Sequence, residues 1–145
     1  VRPHGGPRLR WFRDHNEGRG HIAAITSVAG TNGIGAISAY SASKAFDQYY
    51  LQALDQIARM SRMQLRFTDI RPGWVRTPLL AADETYPMCM TLDYAVPRIV
   101  RAIERRRRVA VIDWRWNLVV GLMRLLPNCL WVRLPIKGSK LSAKH

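Results

Sequence analysis

The chain has 145 residues, enough for one domain with a buried core. Hydrophobic residues make up 48% and charged residues 23%, a globular balance that excludes disorder, and Cys89 and Cys129 stand in no metal-ligand or redox spacing, so a reducing compartment is the default. The net charge of +13 rests on 19 arginines and four lysines, with no nucleic-acid-binding motif beside them, so a nucleic-acid partner is set aside.

Residues 1–10 are rich in Pro, Gly and Arg, lack periodicity and read as irregular chain. Trp11 and Phe12 suit the end of a helix, and residues 16–20 (NEGRG) make a turn. No apolar leader follows Val1, and no apolar run is long enough to span a membrane. Residues 21–27 (HIAAITS) predict a short buried parallel strand. A loop with Gly30, Gly33 and Gly35 leads into a helix from about Ser41 to Arg62, in which Phe46, Tyr50, Ala53, Leu54 and Ile57 recur at helical spacing.

Residues 64–70 predict a second strand, ended by Arg71-Pro72-Gly73, and residues 77–90 read as an irregular lid with a helical turn. Thr91 and Asp93 can cap a helix over about 92–106, before a third strand at 109–112. A last amphipathic helix starts at Trp114 and breaks at Pro127. Strand, helix, strand, helix, strand is the pattern of a parallel α/β sheet.

Tyr40 and Lys44 stand four residues apart at the start of the first long helix, which puts both side chains on one face. A phenol titrates near 10, so it serves as an acid/base at neutral pH only where its anion is stabilised. A neighbouring ammonium and a helix N-terminus both do this. Lys44 is also the only lysine in the first 136 residues, which suits a task arginine cannot perform. Ser27 ends the first strand, at the carboxyl edge where open α/β sheets bind ligands, and its hydroxyl could hold a substrate oxygen beside the tyrosine. A Tyr-x-x-x-Lys pair by itself is more often a solvated pair than a site.

Three blocks occur in order: Ile25-Thr26-Ser27-Val28-Ala29-Gly30, Tyr40-Ser41-Ala42-Ser43-Lys44, and Arg71-Pro72-Gly73-Trp74-Val75-Arg76-Thr77, with Ser27 thirteen positions before Tyr40. Together they resemble the short-chain dehydrogenases/reductases, over about residues 18–112. The resemblance implies an α/β fold, the C-terminal half of a Rossmann-like doubly wound parallel sheet with its N-terminal βαβ units missing. It divides the chain into an irregular segment (1–17), a catalytic half-domain (18–113) and an amphipathic, basic extension (114–145).

It also implies an NAD- or NADP-dependent oxidoreductase acting on an alcohol or ketone. Tyr40 matches the general acid/base and Ser27 the substrate-orienting hydroxyl. Lys44 matches the lysine that stabilises the tyrosine anion and binds the nicotinamide ribose. Pro72, Gly73, Val75 and Thr77 match the segment bordering the nicotinamide. The chain departs from the family in lacking the pyrophosphate-binding glycine loop. Residues 30–35 (GTNGIG) resemble it only superficially, and lie where the substrate pocket is expected. The family's catalytic asparagine has no match either, and the chain is expected to be a fragment with no turnover of its own.

Beyond Trp114, the residues Asn117, Gly121, Arg124 and Asn128 form a narrow polar stripe on an otherwise apolar segment. Trp114, Trp116 and Trp131 flank it, and Lys137, Lys140 and Lys144 follow. This suits an interfacial membrane helix, with a lipid-like substrate and a cytoplasmic protein at the membrane periphery; packing on the domain or on a second subunit explains the same pattern. Two rival readings remain: a non-catalytic fragment or binding module, and a basic membrane-associated interaction protein. Cofactor titration separates the first from an enzyme, and liposome sedimentation tests the second.

Overall fold

The structure, a computed structural model, describes residues 7–78 and 86–136. Helix α1 (Pro7–His15) precedes strand β1 (Arg19–Ile25), helix α2 (Ser38–Met60), strand β2 (Gln64–Arg71), helix α3 (Leu92–Glu104), strand β3 (Val109–Val111), helix α4 (Trp114–Leu125) and the short α5 (Asn128–Trp131). The three strands form one parallel sheet in the order β1-β2-β3. Arg19 pairs with Gln64 at one end of the first ladder and Ile25 with Ile70 at the other.

Side chains alternate across the sheet, and two cores follow from that alternation. Leu65 and Phe67 of β2 pack with Leu51, Leu54 and Ala58 of α2 and with Leu9 of α1. Ile70, on the opposite face, packs with Ala95 and Ala102 of α3 and with Ala110 and Ile112. The sheet is thus covered on both faces. Because the strands follow in spatial order while α2 and α3 take opposite faces, the two crossovers have opposite hand, and one of them departs from the right-handed rule. The 20-residue link between β2 and α3 is long enough for the chain to pass to the other face.

Several boundaries and faces differ from the sequence reading. Part of the expected irregular segment is helical: α1 begins at Pro7, a residue suited to a first helical position, and Leu9, 1% exposed, anchors it. Residues 1–6 lie outside the described residues. Strand β1 is predicted to be buried, yet all its positions are exposed or half-buried, and Ile25 is 58% exposed. The reason is its place at the edge of the sheet, with only β2 beside it among the described residues. In α2 the recurring apolar positions divide: Leu54 and Ile57 join the core, whereas Phe46, Ala53 and Tyr50 point outward. The buried face is instead Ser41, Gln48, Leu51, Leu54, Asp55 and Ala58.

Trp114 is exposed, but Trp116 and Trp131 are buried, so those two tryptophans do not flank an outer surface. Trp116 and Val120 pack on Val28, and the Trp131 indole N–H donates to the Gly33 carbonyl at 2.7 Å. Half of the expected lid (79–85 of 77–90), and Lys137, Lys140 and Lys144, lie outside the described residues. No described helix is long and apolar enough to cross a membrane.

Candidate active site

Past the end of β1 the chain continues extended through Ser27 (φ −166°, ψ 154°) and turns into a short 3-10 turn at Val28–Gly30. Two backbone bonds carry the β1–β2 pairing beyond the ladder: Thr26 N–H to the Ile70 carbonyl at 2.7 Å, and Val28 N–H to the Pro72 carbonyl at 3.1 Å. Ser27 Oγ caps the turn by accepting from the Ala29 N–H at 3.1 Å, and it donates to the Pro72 carbonyl at 3.4 Å. Ser27 is therefore buried at the carboxyl edge of the sheet, joined directly to the Pro72 segment.

Helix α2 begins at Ser38, which places Tyr40 in its first turn, where the partial positive charge of the helix end favours an anion. Tyr40 is 47% exposed. The Lys44 ammonium lies 5.9 Å from the centre of the Tyr40 ring, on the same face of the helix. It donates to the Ile25 carbonyl at 3.4 Å and pairs with Asp47 at 3.3 Å. Lys44 thus ties the start of α2 to the end of β1, with its ammonium near the Tyr40 ring. No hydrogen bond joins Ser27 Oγ to Tyr40 or Lys44 among the described residues.

Glycine at position 30 makes this approach feasible. A Cβ there would stand 2.7 Å from the Lys44 carbonyl carbon and 2.8 Å from the Ala45 nitrogen, inside the backbone of α2. The Ser41 hydroxyl fixes the following loop, 2.8 Å from the Ala29 carbonyl and 2.9 Å from the Asn32 carbonyl, while accepting from the Ile34 N–H. Asn32 Nδ2 donates to the Met123 carbonyl at 3.0 Å, so residues 30–35 are tied to α4 and α5.

The 72–77 segment runs on from β2 along the same edge. Val75 forms an isolated parallel bridge with Met90, with Arg76 N–H to the Met90 carbonyl at 2.8 Å and Met90 N–H to the Trp74 carbonyl at 2.9 Å. Thr77 is half-buried just beyond it. Gly73 is packed by Trp116: a Cβ at position 73 would overlap the indole nitrogen.

Sequence reasoning missed four supports. Gln48 Nε2 donates to the Ser27 carbonyl at 2.6 Å; a glutamine four residues beyond Lys44, on the helix face that turns out to be buried, was the available signal. Asp47 was legible as an i, i+3 partner of Lys44. Trp116, whose buried indole N–H has no partner among the described residues, gave no local signal. Nor did the buried network in which Thr26 donates to Asp69 at 2.6 Å and Arg71 Nε donates to Asp69 at 2.8 Å, locking together the residues that precede Ser27 and Pro72.

A family profile described as short chain dehydrogenase matches residues 9–86. An uncharacterized oxidoreductase of Myxococcus xanthus is 31% identical over 119 residues, covering 78% of this chain and 44% of that protein. The dehydrogenase/reductase SDR family member 7B of Xenopus tropicalis is 30% identical over 135 residues, 84% of this chain and 43% of that protein. The crystal structure of a short chain dehydrogenase from Burkholderia cenocepacia in complex with NADP superposes with a TM-score of 0.69 at 18% identity, covering 89% of this chain and 53% of that one. A short-chain dehydrogenase from Sphingobium yanoikuyae in complex with NADPH gives 0.60 at 24%, covering 90% and 51%. At those identities the structural likeness speaks to the fold: a Rossmann-type α/β sheet. The chain spans about half the length of the relatives it matches. By its family profile, the chain belongs to the short chain dehydrogenases.

Proposed function

We propose that the chain carries the proton-transfer half of an NAD(P)-dependent oxidoreductase acting on an alcohol or ketone. The observation that carries this reading is the Lys44 ammonium over the Tyr40 ring, at the sheet edge where Ser27 leaves β1. In ketone reduction the Tyr40 hydroxyl gives its proton to the carbonyl oxygen, and the phenolate left behind is stabilised by Lys44 and the first turn of α2. In the reverse direction the phenolate takes the alcohol proton. Ser27 orients the substrate oxygen, exchanging its bond to the Pro72 carbonyl for one to substrate.

The residues present fit the nicotinamide end of a dinucleotide. Lys44 and Tyr40 would supply donors suited to ribose hydroxyls, and Pro72, Gly73, Val75 and Thr77 would border the nicotinamide. When bound, the cofactor supplies or accepts the hydride. A phosphate-cradling loop at a strand-to-helix junction is a separate requirement, and residues 30–35 do not meet it, being fastened to α2, α4 and α5.

The test is fluorescence titration of the chain with NADH and NADPH, followed by turnover with a ketone. Weak saturable binding is expected, lost in Lys44→Met and retained in Tyr40→Phe, with no steady turnover, because poor positioning alone costs several kcal/mol of barrier (about 7–11 at the extreme). Absence of binding at every concentration would overturn the cofactor reading. Steady consumption abolished by Tyr40→Phe would show a self-sufficient site instead.

A second reading, peripheral membrane contact, is favoured by the outer face of α4, where Trp114, Leu118, Leu122 and Leu125 are exposed. Sedimentation with anionic vesicles should then be lost in a Leu118→Glu, Leu122→Glu variant. No sedimentation of the wild-type chain at low salt ends this reading.

A further inference from the structure

A cavity of about 200 Å³ opens on the α2 face of the sheet, between α2, β2, the start of β3 and α4. Arg71, Arg108 and Arg124 line it beside Asp55 and Asp69, whereas Ser27, Tyr40 and Lys44 do not. Both carboxylates are already engaged. Asp69 accepts from Thr26 at 2.6 Å and from Arg71 Nε and Nη2 at 2.8 and 2.6 Å. Asp55 accepts from Arg59 at 2.8 Å and from Arg108 Nε at 3.1 Å. Arg108 keeps its two terminal nitrogens free of these bonds, and Arg124 makes no hydrogen bond or ion pair among the described residues. Three guanidinium groups therefore line the cavity beside two carboxylates, an excess of one positive charge, and Arg59 pairs with Asp55 from outside the lining.

We propose that this cavity is a phosphate-group site, held by Arg108 and Arg124 with Arg71 at its floor. The net positive lining and the unengaged guanidinium nitrogens of Arg108 and Arg124 suit a phosphate group, which carries about −1.5 to −2 at neutral pH and whose oxygens accept guanidinium forks. The size agrees: the volume equals about six water molecules at roughly 30 Å³ each, and lies below the roughly 300 Å³ at which drug-sized ligands begin. It has room for a headgroup-sized anion. The same chemistry has two sources. One is a free phosphate or a small phosphomonoester; the other is a lipid headgroup, since Arg124 shares α4 with the exposed Leu118, Leu122 and Leu125. The site goes beyond the oxidoreductase reading and shares none of its proton-transfer residues.

The experiment titrates inorganic phosphate into the chain by calorimetry, against chloride at matched ionic strength. Saturable phosphate binding is expected, weakened about tenfold or more in Arg124→Ala and in Arg108→Ala, since a hydrogen bond to a charged group contributes about 1.5–3 kcal/mol. Both arginines are exposed, so these variants should fold as the wild type does. Arg105→Ala, outside the cavity, and Tyr40→Phe should leave the affinity unchanged, which separates this site from the oxidoreductase one. Vesicles of phosphatidylcholine with and without phosphatidic acid distinguish the sources. Co-sedimentation that needs phosphatidic acid and is displaced by phosphate identifies a headgroup, and phosphate binding without it identifies a free anion. Phosphate acting no differently from chloride, or Arg105→Ala weakening binding as much as Arg124→Ala, would overturn the proposal.

Discussion

At the scale of single residues, small or buried groups set the geometry. Gly73 carries no side chain where Trp116 lies, so Gly73→Ala must push the indole away or shift the strand end. Overpacking of this kind costs about 1–3 kcal/mol. Urea denaturation should show that loss, and an unchanged midpoint would mean that Trp116 relocates freely. His21 provides a pH signature. Its imidazole is held below its ordinary value, first by burial and then by the Arg106 charge, while Nε2 meets the Thr68 hydroxyl at 2.8 Å. A depressed histidine stabilises the fold fully above its unfolded value, about 6.5, and that contribution declines as pH falls below it. Thermal melts between pH 8 and 5 should show a decline on the acid side of 6.5 that His21→Gln flattens. The proposed site residues Tyr40, Ser27 and Lys44 stand out at this scale because their residue types and spacing are themselves the signal. Trp116 was not, because its relation to Gly73 spans 43 residues and follows no period.

At the scale of elements, caps and pairings were partly legible. Thr91 caps α3 as the sequence predicted, accepting from the Tyr94 N–H at 3.3 Å. Asp113, fully buried, caps α4 by accepting from the Arg115 N–H at 2.9 Å. Hydrogen bonding from the Arg115 guanidinium, against the opposing effect of burial, holds its carboxyl below the usual range. Such a group stabilises the fold fully above its unfolded value near 3.8, and the contribution is lost as pH falls further, through the folded value. Asp113→Ala should cost about 1–2 kcal/mol at pH 7 through the lost cap. Asp113→Asn should keep much of the cap while flattening the stability profile below pH 4. Equal profiles for Asn and wild type would show that the charge contributes nothing. The apolar recurrence in α2 located the helix without locating its core face, because a stripe of Phe, Tyr and Ala suits an interface as well as an interior.

At the scale of the molecule, α2 is apolar on two sides. Its outer side presents Phe46, Tyr49, Tyr50 and Met60, with the Phe46 and Tyr50 rings stacked 5.7 Å apart. Contiguous exposed apolar surface of this kind marks a contact surface. The chain should bind an apolar dye such as anilinonaphthalene sulfonate, and Phe46→Glu with Tyr50→Glu should reduce that fluorescence while leaving the far-ultraviolet circular dichroism unchanged. Unaltered dye binding would place the apolar surface elsewhere.

The parallel α/β class, the three strands and the placement of Tyr40 and Lys44 on one helix face were determined by the sequence alone. Periodicity, turn residues and i, i+4 spacing are local, and the chain prints them directly. Tertiary structure decided which side of α2 is buried, that α2 and α3 cover opposite faces of the sheet, and that Arg71, Arg108 and Arg124 surround one cavity. Those outcomes depend on which surfaces meet between separate elements, and hydrophobic burial rewards any such meeting without regard to position in the chain.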